Sequence, residues 1–108
     1  MINANLEQFL DSGWYNEATL FYKGYIYWCE GTWDIIQNNI FNFFVYRFKA
    51  KNIDNKYFER LLDDEPFKYE FEMFSTNKED VKKHFLKAKI FEGKSFWEVE
   101  PELAWLDE

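Results

Sequence analysis

Histidine and cysteine are nearly absent: the 108 residues hold one of each, His84 and Cys29. An internal disulfide is therefore excluded, and two side chains fall short of the four ligands that a structural zinc site takes. Glycine and proline are scarce too, with four and two copies. Gly13, Gly24, Gly31 and Gly93 stand too far apart for a Walker or dinucleotide loop, and no Gly/Ser-rich linker divides the chain. Cations are thin at the start, where Lys23 is the one basic residue before Arg47. No apolar run nears the ~20 residues that cross a bilayer. The opening Met1-Ile2-Asn3-Ala4-Asn5-Leu6-Glu7 lacks the basic and apolar segments of a secretory signal. The expectation is a single cytoplasmic domain over residues 1–108, needing no metal or cofactor and contacting neither membrane nor nucleic acid.

What the chain does have is aromatic side chains and acid. Thirteen Phe, seven Tyr and five Trp make up 23% of it. Twenty acidic residues against thirteen basic ones give a net charge of −7, the wrong sign for gripping a phosphate backbone. A chain of this length buries roughly 65% of its unfolded surface, enough for one stable core.

Hydropathy patterning predicts an α+β fold: a mostly antiparallel meander of four to five strands, with N- and C-terminal helices on one face. Leu6, Phe9 and Leu10 fall at helical spacing, with Gly13 as the C-terminal stop. Ala18–Tyr22 and Tyr25–Glu30, joined by Lys23-Gly24, read as a hairpin. Ile40–Ala50 is apolar on both faces and is expected in the middle of the sheet. Tyr57, Phe58, Leu61 and Leu62 suggest a short helix or an irregular loop. Over 67–73 the alternation predicts Phe67, Tyr69, Phe71 and Met73 inward, with Lys68, Glu70 and Glu72 in water. Thr76 and Glu79 read as a capping box opening a helix to about Lys89, and Ser95 with Glu98 as a second one. Phe96, Val99, Leu103 and Leu106 keep helical spacing towards the end, interrupted by Pro101. Phe9, Phe44, Phe71, Phe85 and Leu103 are the expected core.

Catalytic chemistry finds little to work with. Cys29 lies in a hydrophobic strand, where a packing thiol is the ordinary reading. His84, between the inward positions Val81 and Phe85, reads as a half-buried residue at the core margin. Glu70 and Glu72 on one strand face stand roughly 7 Å apart, a spacing open to carboxylate chemistry, yet acids on a wet strand face are commonplace. The chain is therefore read as a non-enzyme. Trp14, Tyr15, Tyr22, Tyr25, Tyr27, Trp28, Trp33, Tyr46 and Tyr57 resemble the inventory of a base-stacking platform, but without a positive groove they fit core packing and protein recognition better.

Acid concentrates late in the sequence. Residues 59–108 hold fourteen acids and eight bases, against six and five in residues 1–58. A surface of that kind meets a basic partner quickly. The expected partner-binding residues are Asp63, Asp64, Glu65, Glu70 and Glu72, with Tyr57 and Trp33 as aromatic anchors. The acids between Glu98 and Glu108 form a rival surface.

Three segments carry a family likeness: Phe9-Leu10-Asp11-Ser12-Gly13-Trp14, Trp28-Cys29-Glu30-Gly31-Thr32-Trp33-Asp34, and Gly93-Lys94-Ser95-Phe96-Trp97-Glu98-Val99 followed by Glu102-Leu103-Ala104-Trp105-Leu106. In these, and in size, acidity and aromatic content, the chain resembles small immunity proteins of bacterial polymorphic-toxin and contact-dependent growth inhibition systems. The resemblance implies a cytosolic inhibitor that binds one cognate toxin, such as a nuclease, and blocks it without catalysis. It transfers no functional residue. The alternative reading is a nucleic-acid mimic from a phage or mobile element that inhibits a nuclease or DNA-binding protein.

Overall fold

A hairpin organises the chain. Lys23 and Gly24, at φ 49° and 84°, make the left-handed two-residue turn whose twist matches paired strands. They join β1 (Ala18–Tyr22) to β2 (Tyr25–Asp34). β2 pairs along its whole length with β3 (Ile40–Asn52), the longest strand. The computed structural model describes residues 1–2, 4–36, 39–52, 58–60 and 69–106.

The far edge of β3 is shared by two strands. β5 (Tyr69–Ser75) pairs with its first half, from Phe41 to Tyr46, and β4 (Phe58–Arg60) with its end, from Ala50 to Asn52. At the other side of the sheet a two-residue β6 (Ala104–Trp105) lies along β1. All these pairings are antiparallel, and the architecture is the α+β class that the patterning predicts.

Three helices cover one face of the sheet. α1 (Leu6–Asp11) starts at Asn5, whose side chain accepts from the Gln8 amide. α2 (Lys78–Lys87) starts at Asn77, which accepts from the amides of Glu79 and Asp80. The cap is thus Asn77 and not Thr76, one residue later than expected. α3 (Phe96–Val99) has the expected capping box of Ser95 and Glu98. Glu98 is held below the usual carboxylate range by the Ser95 backbone and side chain that it accepts from.

The core lies between these helices and the sheet. Phe9, Trp14, Leu20, Tyr27, Cys29, Phe41, Phe43, Val45, Val81, Phe85, Phe96 and Leu103 are fully buried. Their rings meet edge-on or offset, as with Phe43 and Phe85 at 5.1 Å and Trp14 and Phe43 at 4.9 Å. Cys29 is buried among them.

Several expectations need correction. Phe44 is only half-buried and sits on the opposite sheet face from Phe43, because neighbours on a strand point to opposite sides. Phe58 stands in a strand rather than a helix, since the end of β3 offers it an unpaired edge; Tyr57, Leu61 and Leu62 lie outside the described residues. Beyond Val99 the chain leaves the helix through a 3-10 turn containing Pro101 and then forms β6, so Leu103 and Leu106 are buried without being helical. His84 is exposed, and its Nδ1 lies 2.8 Å from the Asp80 carbonyl.

Gly13 plays a different part from the one its position suggests. It opens a 3-10 turn and is not left-handed; a Cβ there would stand 2.5 Å from Cη2 of the Trp105 ring. Close approach of a ring, not helix termination, is what asks for glycine.

Candidate functional site

The face of the sheet away from the helices divides into two parts. Near the Lys23-Gly24 turn a small apolar cluster forms around buried Ile26 and Leu106, with Phe21, Phe48 and Ala104 against them. The other part, over β2, β3 and β5, is an aromatic surface open to solvent. A cleft of about 250 Å³ is lined there by Glu30, Thr32, Phe44, Tyr46 and Tyr69.

Strand register assembles this surface. Trp28 and Tyr46 are direct partners and stack at 6.1 Å with 17° between planes. Phe44 meets Tyr69 at 5.1 Å and Phe74 at 5.8 Å, and Tyr46 meets Tyr69 edge-on at 6.1 Å. Tyr69 and Phe74 remain 45% and 53% exposed. Phe44 is flanked on both sides by acid: Glu30 of β2 and Glu72 of β5 are both its direct cross-strand partners. At ~4.8 Å per strand, the two acidic positions stand about 10 Å apart with the Phe44 position between them.

A β-bulge completes the arrangement. Val45 pairs with Phe71, but the next residue, Tyr46, pairs with Tyr69, leaving Glu70 as the extra residue. Tyr69 thereby shifts to the open face while Phe71 and Met73 stay against the core. The expectation of Tyr69 inward, and of Glu70 and Glu72 on one face, fails for this reason.

Glu70 is turned instead towards Arg47, at 3.3 Å. Arg47 also reaches Glu92 at 2.9 Å and lies 4.4 Å from the centre of the Tyr25 ring. Glu70 is therefore engaged within the protein. Glu72 is exposed, and neither it nor Glu30 forms an ion pair among the described residues.

Of the remaining expected site residues, Trp33 lies on the helix-side face near the end of β2. It is 43% exposed and packs on Phe41 at 5.2 Å, so it does not join Glu72. Tyr57, Asp63, Asp64 and Glu65 lie outside the described residues. Within the rival surface, Glu98 is committed to its capping box and Glu100 pairs with the Met1 amine at 2.9 Å. Patterning gives Glu30, Thr32 and Phe74 no role at a site, assigns Phe44 and Tyr69 to the core side, and names Tyr46 only among the aromatics suited to packing or protein recognition. The available signal was the polar alternation of Glu30 and Thr32 in β2, which marks that face as wet.

Tyr27 shows what burial does to the same side-chain type. Burial pushes its phenol up to about 12, with Glu92 adding to the rise and Arg47 opposing it. The folded state thus keeps a proton that the unfolded chain releases near pH 10. Stability fully present below pH 10 should therefore be lost as pH climbs from about 10 towards 12. Denaturation midpoints of Tyr27→Phe between those limits should fall less steeply than the parent's. Equal slopes would assign the alkaline loss to other groups.

Among the described residues no group of three or more His, Cys, Asp or Glu gathers as a metal site, and no helix is long and apolar enough to cross a membrane. The chemistry on offer at the open face is stacking, cation–π contact and carboxylate pairing. Comparison with family models, with curated proteins and with solved structures finds no match to this chain.

Proposed function

We propose that the chain is a non-enzymatic acidic binding protein of the immunity type, which neutralises one cognate toxin domain by covering its active site. The observation that carries this is the open aromatic face, where Phe44, Tyr46, Tyr69 and Phe74 lie beside two carboxylates, Glu30 and Glu72, that form no ion pair among the described residues. Aromatic side chains are favoured anchors of a protein-binding hot spot, and polar groups form the rim around it. A net charge of −7 draws in a basic partner and repels nucleic acid. A nuclease is the preferred partner class, because its substrate site must be positive to hold phosphate.

Mimicry of nucleic acid fits this face less well. It calls for a row of carboxylates, whereas here a phenylalanine position separates two of them.

Growth rescue is the test. A candidate toxin domain encoded beside this chain should arrest cells when expressed alone and not when the two are expressed together. Purified chain should abolish the toxin's activity at one-to-one stoichiometry. Continued arrest, or inhibition that needs turnover by this chain, would refute the proposal.

A further inference from the structure

We infer that the cleft over Phe44 is an arginine pocket: it takes the guanidinium of an arginine side chain that the partner presents. The inference rests on the reading of this face as the binding surface, and it adds the chemistry that the surface selects.

Three features converge. First, the lining is aromatic on the floor and polar at the sides, with Phe44, Tyr46 and Tyr69 together and Glu30 and Thr32 beside them. A cation over such rings is attracted by their negative faces, and arginine engages them more often than lysine does. Second, Glu30 and Glu72 flank Phe44 from opposite strands, and neither is neutralised by a base among the described residues. This contrasts with Glu70 and Glu92, which share Arg47. A planar guanidinium lying over Phe44 has donors on its opposite edges, so it addresses both carboxylates at once; an ammonium is a point charge and stacks poorly. Third, the chain already uses this combination at its other face. There Arg47 lies over Tyr25 at 4.4 Å while bonding Glu70 and Glu92. The open cleft offers aromatic rings and Glu30, with Glu72 across the Phe44 position from it, and neither carboxylate has an ion-pair partner among the described residues.

The β-bulge is the local device behind the pocket. Without the extra residue at Glu70, strand alternation would carry Tyr69 to the core side and remove one wall.

The experiment titrates the full chain with capped tripeptides, Gly-Arg-Gly, Gly-Lys-Gly and Gly-citrulline-Gly, while following the ring resonances of Phe44, Tyr46 and Tyr69 by NMR. The arginine peptide should bind saturably with a Kd on the order of 1 mM. Lysine should bind several-fold more weakly, and citrulline, which keeps the shape but not the charge, should not saturate. Glu30→Gln and Glu72→Gln should each weaken arginine binding by roughly tenfold, and Tyr69→Leu should also weaken it without unfolding the sheet. Shifts of equal size with citrulline, tighter binding of lysine, or no saturation by arginine would overturn the pocket. Because the probe is a free peptide, its failure is separate from a failure of toxin neutralisation. A chain that rescues growth but ignores arginine loses the pocket and keeps the inhibitor reading.

Discussion

Replacing Phe85 by alanine should lower stability by about 3–5 kcal/mol. The ring is fully buried on α2 and sits where every layer of the core meets. Phe43 approaches it at 5.1 Å from β3, Phe71 at 6.1 Å from β5, Trp14 at 6.1 Å from the 3-10 turn and Phe96 at 6.4 Å from α3. Removing it strips neighbours from four directions. The surrounding rings are stiff and already in contact with one another, so they cannot close the void. Against a total of roughly 5–15 kcal/mol for a domain of this kind, the loss is severe. Urea unfolding should show a lower midpoint at unchanged slope, while Lys83→Ala, at an exposed position of the same helix, should shift it by less than about 0.5 kcal/mol. A Phe85→Ala protein that melts with its parent would mean that α2 does not pack on this sheet.

The second large effect concerns binding. Reversing both open-face acids, Glu30→Lys with Glu72→Lys, should weaken the toxin complex by about 2–5 kcal/mol and end growth rescue. Glu72 is exposed and neither acid supports an internal ion pair among the described residues, so the fold should survive the change. The double variant puts two cations around Phe44, where the partner is to bring its own, and repulsion replaces attraction. Association should slow as well, and its salt dependence should flatten. Reversal of Glu102, an exposed residue of the rival C-terminal surface, is the control and should leave rescue intact. If reversal at Glu102 abolishes rescue and the double variant does not, the open sheet face is not the binding surface.

How much of this is legible in the sequence depends on the range of the interaction. The hairpin at Lys23-Gly24, the Ser95–Glu98 capping box and the central position of β3 follow from local rules of turn chemistry, amide capping and apolar patterning. They need only a few neighbouring residues, and those are present in the sequence. The shortage of zinc-type ligands and the lack of a glycine-rich phosphate loop are read in the same way, from His84, Cys29 and four scattered glycines.

Other features were decided only when distant segments met. An apolar run over β3 says that both faces are covered or aromatic, but not which one receives the helices; the helices chose the side of Phe41, Phe43 and Val45. The bulge at Glu70 arises from pairing between β5 and β3, and it reverses the direction of Tyr69 against a flawless alternation in the sequence. Gly13 answers to Trp105, far along the chain, rather than to its own helix. Composition and local spacing thus determined the fold class, the turns and the excess of acid and rings. Tertiary pairing alone decided which acids lack an ion pair among the described residues and which rings face water, because register and layer order set those and neither is encoded within a single strand.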